Sequence, residues 1–165
     1  MEPDQDFREK GQIMGFTYRK GNVVEMEAHP ELDHVWLQAR LVEEPALLRL
    51  GSDLALQTEA EDGGLLFYDA SGDRYLAVYA RPGTADAELC RNALSAVRRV
   101  RDHAPEAHII PVVAAERFPE PLVTVLLGLQ RAAGLIPRQL LAVRLETGNR
   151  LTLVAAPLPL PVVAA

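Results

Sequence analysis

The most constraining stretch of this sequence is Asp53–Ala80, where three apolar segments follow one another with almost nothing between them. Asp53–Ala60 sets Leu54 and Leu56 among polar or small residues. Gly63-Gly64 supplies a turn, Leu65–Tyr68 is a short apolar run, Asp69-Ala70-Ser71-Gly72 is a second turn, and Arg74–Ala80 is apolar after Arg74. Two parallel strands need a crossover of a dozen or more residues. These connections are far shorter, so the spacing predicts an antiparallel three-stranded meander.

Helices are expected on both sides of it. His29-Pro30-Glu31 predicts a helix start with proline in the first turn, and Leu32, Val35, Trp36, Ala39 and Val42 share one helical face. Pro45 breaks that helix or opens a short new one carrying Ala46, Leu47 and Leu48. After Arg81-Pro82-Gly83, Thr84 or Asp86 is expected to cap a helix reaching about His103. Leu89, Ala93, Val97 and Val100 form its inner face, with Leu94 and Ala96 alongside. Ala107–Ala114 predicts a buried strand, with Pro111 favouring an edge or a bulge. A helix over Glu120–Ala133 should end near Gly134, and a hairpin over Leu140–Leu145 and Arg150–Val154 should close around Thr147-Gly148-Asn149. At the front, Gln12–Tyr18 and Asn22–Glu27 predict another hairpin.

The expected organisation is therefore a polar lead-in over 1–10, one α/β domain over 11–155 with its core at about 30–114, and a Pro-rich apolar tail over 156–165. With 165 residues, 48% of them apolar and 24% charged, the chain has the composition of a folded domain. At that length roughly two thirds of the unfolded surface is expected to be buried. Aromatics make up only 5%, so Leu, Val and Ala must fill the core. No apolar run approaches the ~20 residues of a membrane span and no signal-peptide pattern is visible, so the expectation is a cytoplasmic protein that does not enter a membrane. Cys90 is the only cysteine, which excludes an internal disulfide.

The formal net charge of −6 is unevenly divided. Residues 1–82 hold 16 acids and 8 bases, residues 83–165 only 7 acids and 9 bases. An acidic chain is a poor non-specific partner for DNA, yet a local arginine face can still track a phosphate backbone. Arg91 and Arg98 are seven apart on one predicted helix, Arg99 and Arg101 broaden that face, and Arg81 precedes it. These five are the candidate nucleic-acid-binding residues. The plain alternative is a solvated helix face whose late arginines suit the helix dipole.

The order helix, three-stranded meander, helix, strand over about Pro30–Ala114 resembles the αβββαβ core of the PD-(D/E)XK nuclease superfamily. The local text is similar to the C-terminal domain of NucS and RecB-like endonucleases. It includes the Glu44-Pro45-Ala46-Leu47-Leu48 turn, the Gly51–Glu61 strand and the Gly64-Leu65-Leu66-Phe67 strand. The Asp69-Ala70-Ser71-Gly72 turn and the Leu76–Ala80 strand leaving through Arg81-Pro82-Gly83 complete it. The resemblance implies a restriction-endonuclease-like fold with a mixed sheet, an N-terminal hairpin and a C-terminal helix and hairpin.

It also implies where a magnesium site would sit. The family places an Asp at the fourth position of the Gly-initiated strand, where this chain has Phe67. It places Glu-x-Lys on the third strand, where this chain has Val78-Tyr79-Ala80. Phenylalanine, valine and alanine neither bind a hard cation nor relay a proton. The resemblance thus implies a pseudo-nuclease with no catalytic residues and no metal or other cofactor. It would act as a binding or scaffolding module in DNA repair or another nucleic-acid process. Two alternatives stay open. One is an active magnesium-dependent nuclease whose ligands have migrated to Glu43, Glu59, Glu61, Asp69 or Glu88. The other is a protein-interaction domain, with a protein partner or a second copy as its target.

The remaining chemistry-bearing residues form no convincing motif. His29 and His34 are five apart rather than at the i, i+4 spacing of helical metal ligands, and His103 and His108 flank Pro105. Cys90 has no readable histidine partner and belongs with the core residues around it. Gly63-Gly64 lacks the Lys-Ser/Thr of a phosphate loop, and Ser52, Ser71 and Ser95 have no nucleophile-elbow context.

Overall fold

In the computed structural model, which describes residues 21–145 and 150–158, the meander forms as expected. The strands are β1 (Gly21–Val24), β2 (Leu54–Glu59), β3 (Leu65–Asp69), β4 (Arg74–Thr84), β5 (Ile109–Arg117), β6 (Ile136–Leu145) and β7 (Leu151–Pro157). The helices are α1 (His34–Glu43), α2 (Ala87–His103) and α3 (Glu120–Ala133), with 3₁₀ turns at Met26–Ala28 and Pro45–Leu48. β2, β3 and β4 are antiparallel neighbours. β4, β5 and β6 are mutually parallel, each step bridged by a helix. β6 pairs with β7 along one edge and shares its other edge between β5, at Ile136–Gln139, and β1, at Ala142–Leu145. The result is an α/β fold around one mixed seven-stranded sheet.

Period-two alternation divides the core between the two faces of this sheet. On the first face lie Leu65 and Phe67 of β3, Leu76, Val78 and Ala80 of β4, and Val112 and Ala114 of β5. They pack with Leu37 and Leu41 of α1 and with Leu48 of the second 3₁₀ turn. On the second face lie Ala77 and Tyr79 of β4 and Val113 and Ala115 of β5, against Leu89, Cys90, Ala93, Ala96 and Val97 of α2. Leu122 and Leu126 of α3 join that side.

Several boundaries differ from expectation. The first helix begins at His34, not at Pro30, because the Asp33 carboxylate accepts the Trp36 N–H and caps it there. Leu32 is buried but precedes the helix. The buried face is Leu37 and Leu41. Val35, expected inside, is 73% exposed and Ala39 is exposed too.

Pro111 is neither on an edge nor at a bulge, since β5 is an inner strand. The Tyr75 N–H donates to the His108 carbonyl, so by alternation Pro111 turns its backbone away from β4. On that side β6 begins only opposite Val112, and the missing N–H leaves no gap in the ladder. The sheet also continues past the expected start of the tail, through Pro157. Gln12–Tyr18, the turn at 146–149 and the tail beyond 158 lie outside the described residues.

Asp86 caps α2 by accepting the Leu89 N–H, and that bond, helped by Arg81, lowers the Asp86 pKa. Gly134, with φ +68°, ends α3 in the left-handed conformation as expected. No helix among the described residues is long and apolar enough to cross a membrane.

Candidate functional site

Phe67, Val78 and Ala80, where the resemblance would put a metal site, lie inside the first face of the sheet. Phe67 and Val78 are fully buried and Ala80 is 3% exposed, all packed beneath α1. All three belong to the apolar core cluster on that face.

Of the acids considered as migrated ligands, Glu43 and Glu59 line one shallow hollow with His34, and the others lie apart from it. Glu43 is exposed at the end of α1 and bonded to Arg40. Glu59 and Glu61 are exposed at the β2–β3 end of the meander, and Glu88 is exposed on α2. Asp69 sits at the opposite end of β3. It is buried, accepts from the Ser71 N–H and Oγ and from Arg74 Nε, and is held below the usual carboxylate range by those bonds. Arg74 goes on to donate to the Leu50 carbonyl, so this cluster locks the β3–β4 turn. Among the described residues no three His, Cys, Asp or Glu side chains converge on one point. His29 faces Glu31, His34 opens α1, His103 closes α2 and His108 is exposed before β5. Cys90 is buried, which raises its thiol pKa.

The arginines divide into two groups. Arg81 is paired with Asp86 at 2.6 Å, and Arg99 donates to Asp62 at 3.4 Å and to the Tyr79 hydroxyl at 3.1 Å. Arg91, Arg98 and Arg101 are exposed on α2. Glu88 stands three residues before Arg91 and Asp102 four after Arg98, so acids interrupt this face.

The open site is on the other face of the sheet. A hollow of about 420 Å³ lies between α2 and the meander. Leu66, Tyr75 and Ala77 form its sheet wall, and Ala96, Val100 and Ala104 its α2 wall. Tyr79 and Arg99 meet at one end, and His103 follows one helical turn beyond Arg99. The Tyr79 hydroxyl lies 2.9 Å from both Asp62 oxygens, and Asp62 also accepts the Gly64 N–H. Burial, and then the Asp62 carboxylate, push the Tyr79 pKa up to about 12, against a smaller opposing effect of Arg99. Gly64 has a reason beyond the turn: a Cβ there would overlap the Tyr79 ring.

Sequence reasoning missed this cluster. Asp62, Tyr79 and Arg99 are far apart in the chain, and the only local trace was a second glycine where one would serve the turn.

Two other polar groups, one buried and one half-buried, are structural. Glu116, at the end of β5, accepts backbone N–H groups from Met26, Glu27 and Gly83, and so ties three segments together. Arg138 donates to the carbonyls of Leu48, Arg49 and Pro137, and its burial lowers its pKa.

Comparison with known proteins returns no matching family model, no matching curated protein and no matching solved structure.

Proposed function

We propose that this chain is a binding module on a nuclease-like αβββαβ scaffold, one that holds nucleic acid without cutting it, in DNA repair or a related process. The observation that supports this reading is the packing of Phe67, Val78 and Ala80 beneath Leu37 and Leu41 of α1. A metal-dependent nuclease needs an open, carboxylate-lined position there to hold magnesium and a water. Arg91, Arg98 and Arg101 would supply the contact with phosphate, Arg81 and Arg99 being already committed to acids.

The test is incubation of the full chain with single-stranded, duplex and branched DNA, with magnesium or manganese. Binding without cleavage is expected, weakening as salt rises and falling at least several-fold in the R91E/R98E/R101E variant. Metal-dependent cleavage would replace this reading with the migrated-ligand nuclease. Salt-independent behaviour or no DNA binding would favour a protein-interaction domain, a second reading that the exposed Val35 and Ala39 on α1 support.

A further inference from the structure

We propose that the hollow between α2 and the meander is a binding site for a small carboxylic acid with a ring-sized hydrocarbon body. The inference does not rest on the nuclease-like reading and stands or falls apart from the DNA assays.

The walls decide the body of the ligand. Leu66, Ala77, Ala96, Val100 and Ala104 offer only hydrocarbon, and Tyr75 adds an aromatic ring. A hydrogen-bonding group buried among them would lose its water partners and gain nothing. The volume, about 420 Å³, falls within the range of small-molecule sites.

One end decides the head. Arg99 spends Nη2 on Asp62 and Tyr79, while its Nε and Nη1 make no hydrogen bond among the described residues. Those atoms only donate, so the head must accept. A carboxylate accepts with charge assistance and can take two N–H groups at once, which a neutral carbonyl or hydroxyl cannot match. His103 Nδ1 lies 2.9 Å from the Arg99 carbonyl, which only accepts. That nitrogen therefore carries the proton, which leaves Nε2 as an acceptor one helical turn beyond Arg99. Glu61 and Asp62 flank Arg99, and Asp62 is already held by Arg99, Tyr79 and the Gly64 N–H. The opposing charges leave this end without a strong field, so the head supplies selectivity and the hydrocarbon body supplies affinity.

The test is a titration of the full chain with 2-naphthoate, the matching naphthylmethanol and the matching naphthylmethylamine, followed by calorimetry and by amide shifts of Ala96 and Val100. The carboxylate is expected to bind about tenfold more tightly than the alcohol. In R99Q the two should bind alike. In T58W, which places a ring into the hollow from an exposed position on β2, all three should lose binding. Equal binding of the three heads, or preference for the amine through Glu61 and Asp62, would overturn the assignment of the head. Shifts that map elsewhere, or no saturable binding of any of the three, would overturn the site.

Discussion

The two faces of the sheet are built from different residues and behave differently. The first face is filled with leucine, Phe67 and Met26, and helix α1 closes it. The second is rich in alanine: Ala77, Ala85, Ala93, Ala96 and Ala115 let α2 lie close to β4 and β5. That close approach covers the parallel part of the sheet and leaves the meander beside α2 partly open. One sequence thus seals one face of the sheet and leaves a hollow on the reverse.

The comparison can be broken by reversing side-chain size on each face. Phe67→Ala should cost about 4 kcal/mol, read from urea unfolding, because it empties a fully buried ring position. A loss under about 1 kcal/mol would mean the first face is not tightly packed. On the second face enlargement is the sensitive change. Ala93→Leu, at a fully buried contact between α2 and the sheet, should cost about 2–3 kcal/mol. Ala96→Leu, one turn on and lining the hollow, should cost under about 1 kcal/mol. Equal costs would show that the hollow accepts no extra volume.

The Tyr79 hydroxyl gives a pH handle on the same face. Its folded pKa is raised from the usual 10.0 to about 12, so its contribution is complete below pH 10 and lost as pH rises towards 12. The wild type should lose about 2 kcal/mol relative to Tyr79→Phe across that window, read from thermal or urea melts at each pH. Parallel curves for the two proteins would refute it. The smallest effect is expected at Val35, whose exposure on α1 predicts a change within about 0.5 kcal/mol for Val35→Ser.

Much of the fold was legible because local rules governed it. Turn glycines fixed the meander, Asp86 was one of two proposed caps and is the one used, and Gly134 ended its helix as read. The errors arose where competing local signals were close together. Pro30 looked like a first-turn proline, but Asp33 captured an N–H three residues on; separately, the stripe that packs on the sheet is Leu37 and Leu41, which leaves Val35 outside. Pro111 suggested an edge because pairing on each side of a strand is set by where its neighbours begin, which no window around Pro111 contains. The hollow was illegible for the same reason. Asp62 reaches Tyr79 across the meander, Arg99 joins them only because the crossover lays α2 on β4, and nothing near any of them announces the others.

The sharing of one edge of β6 between β5 and β1 has a bearing on how the chain assembles. Gly21 pairs with Leu145, so β1 leaves the ribosome long before its partner exists. The Glu116 carboxylate that receives Met26 and Glu27 also comes late. The meander and the two crossovers close over shorter loops, so the β1 segment is expected to pair after them. Until then the far end of β6 presents an open edge, and any extended segment of another chain that reaches it first competes with the protein's own.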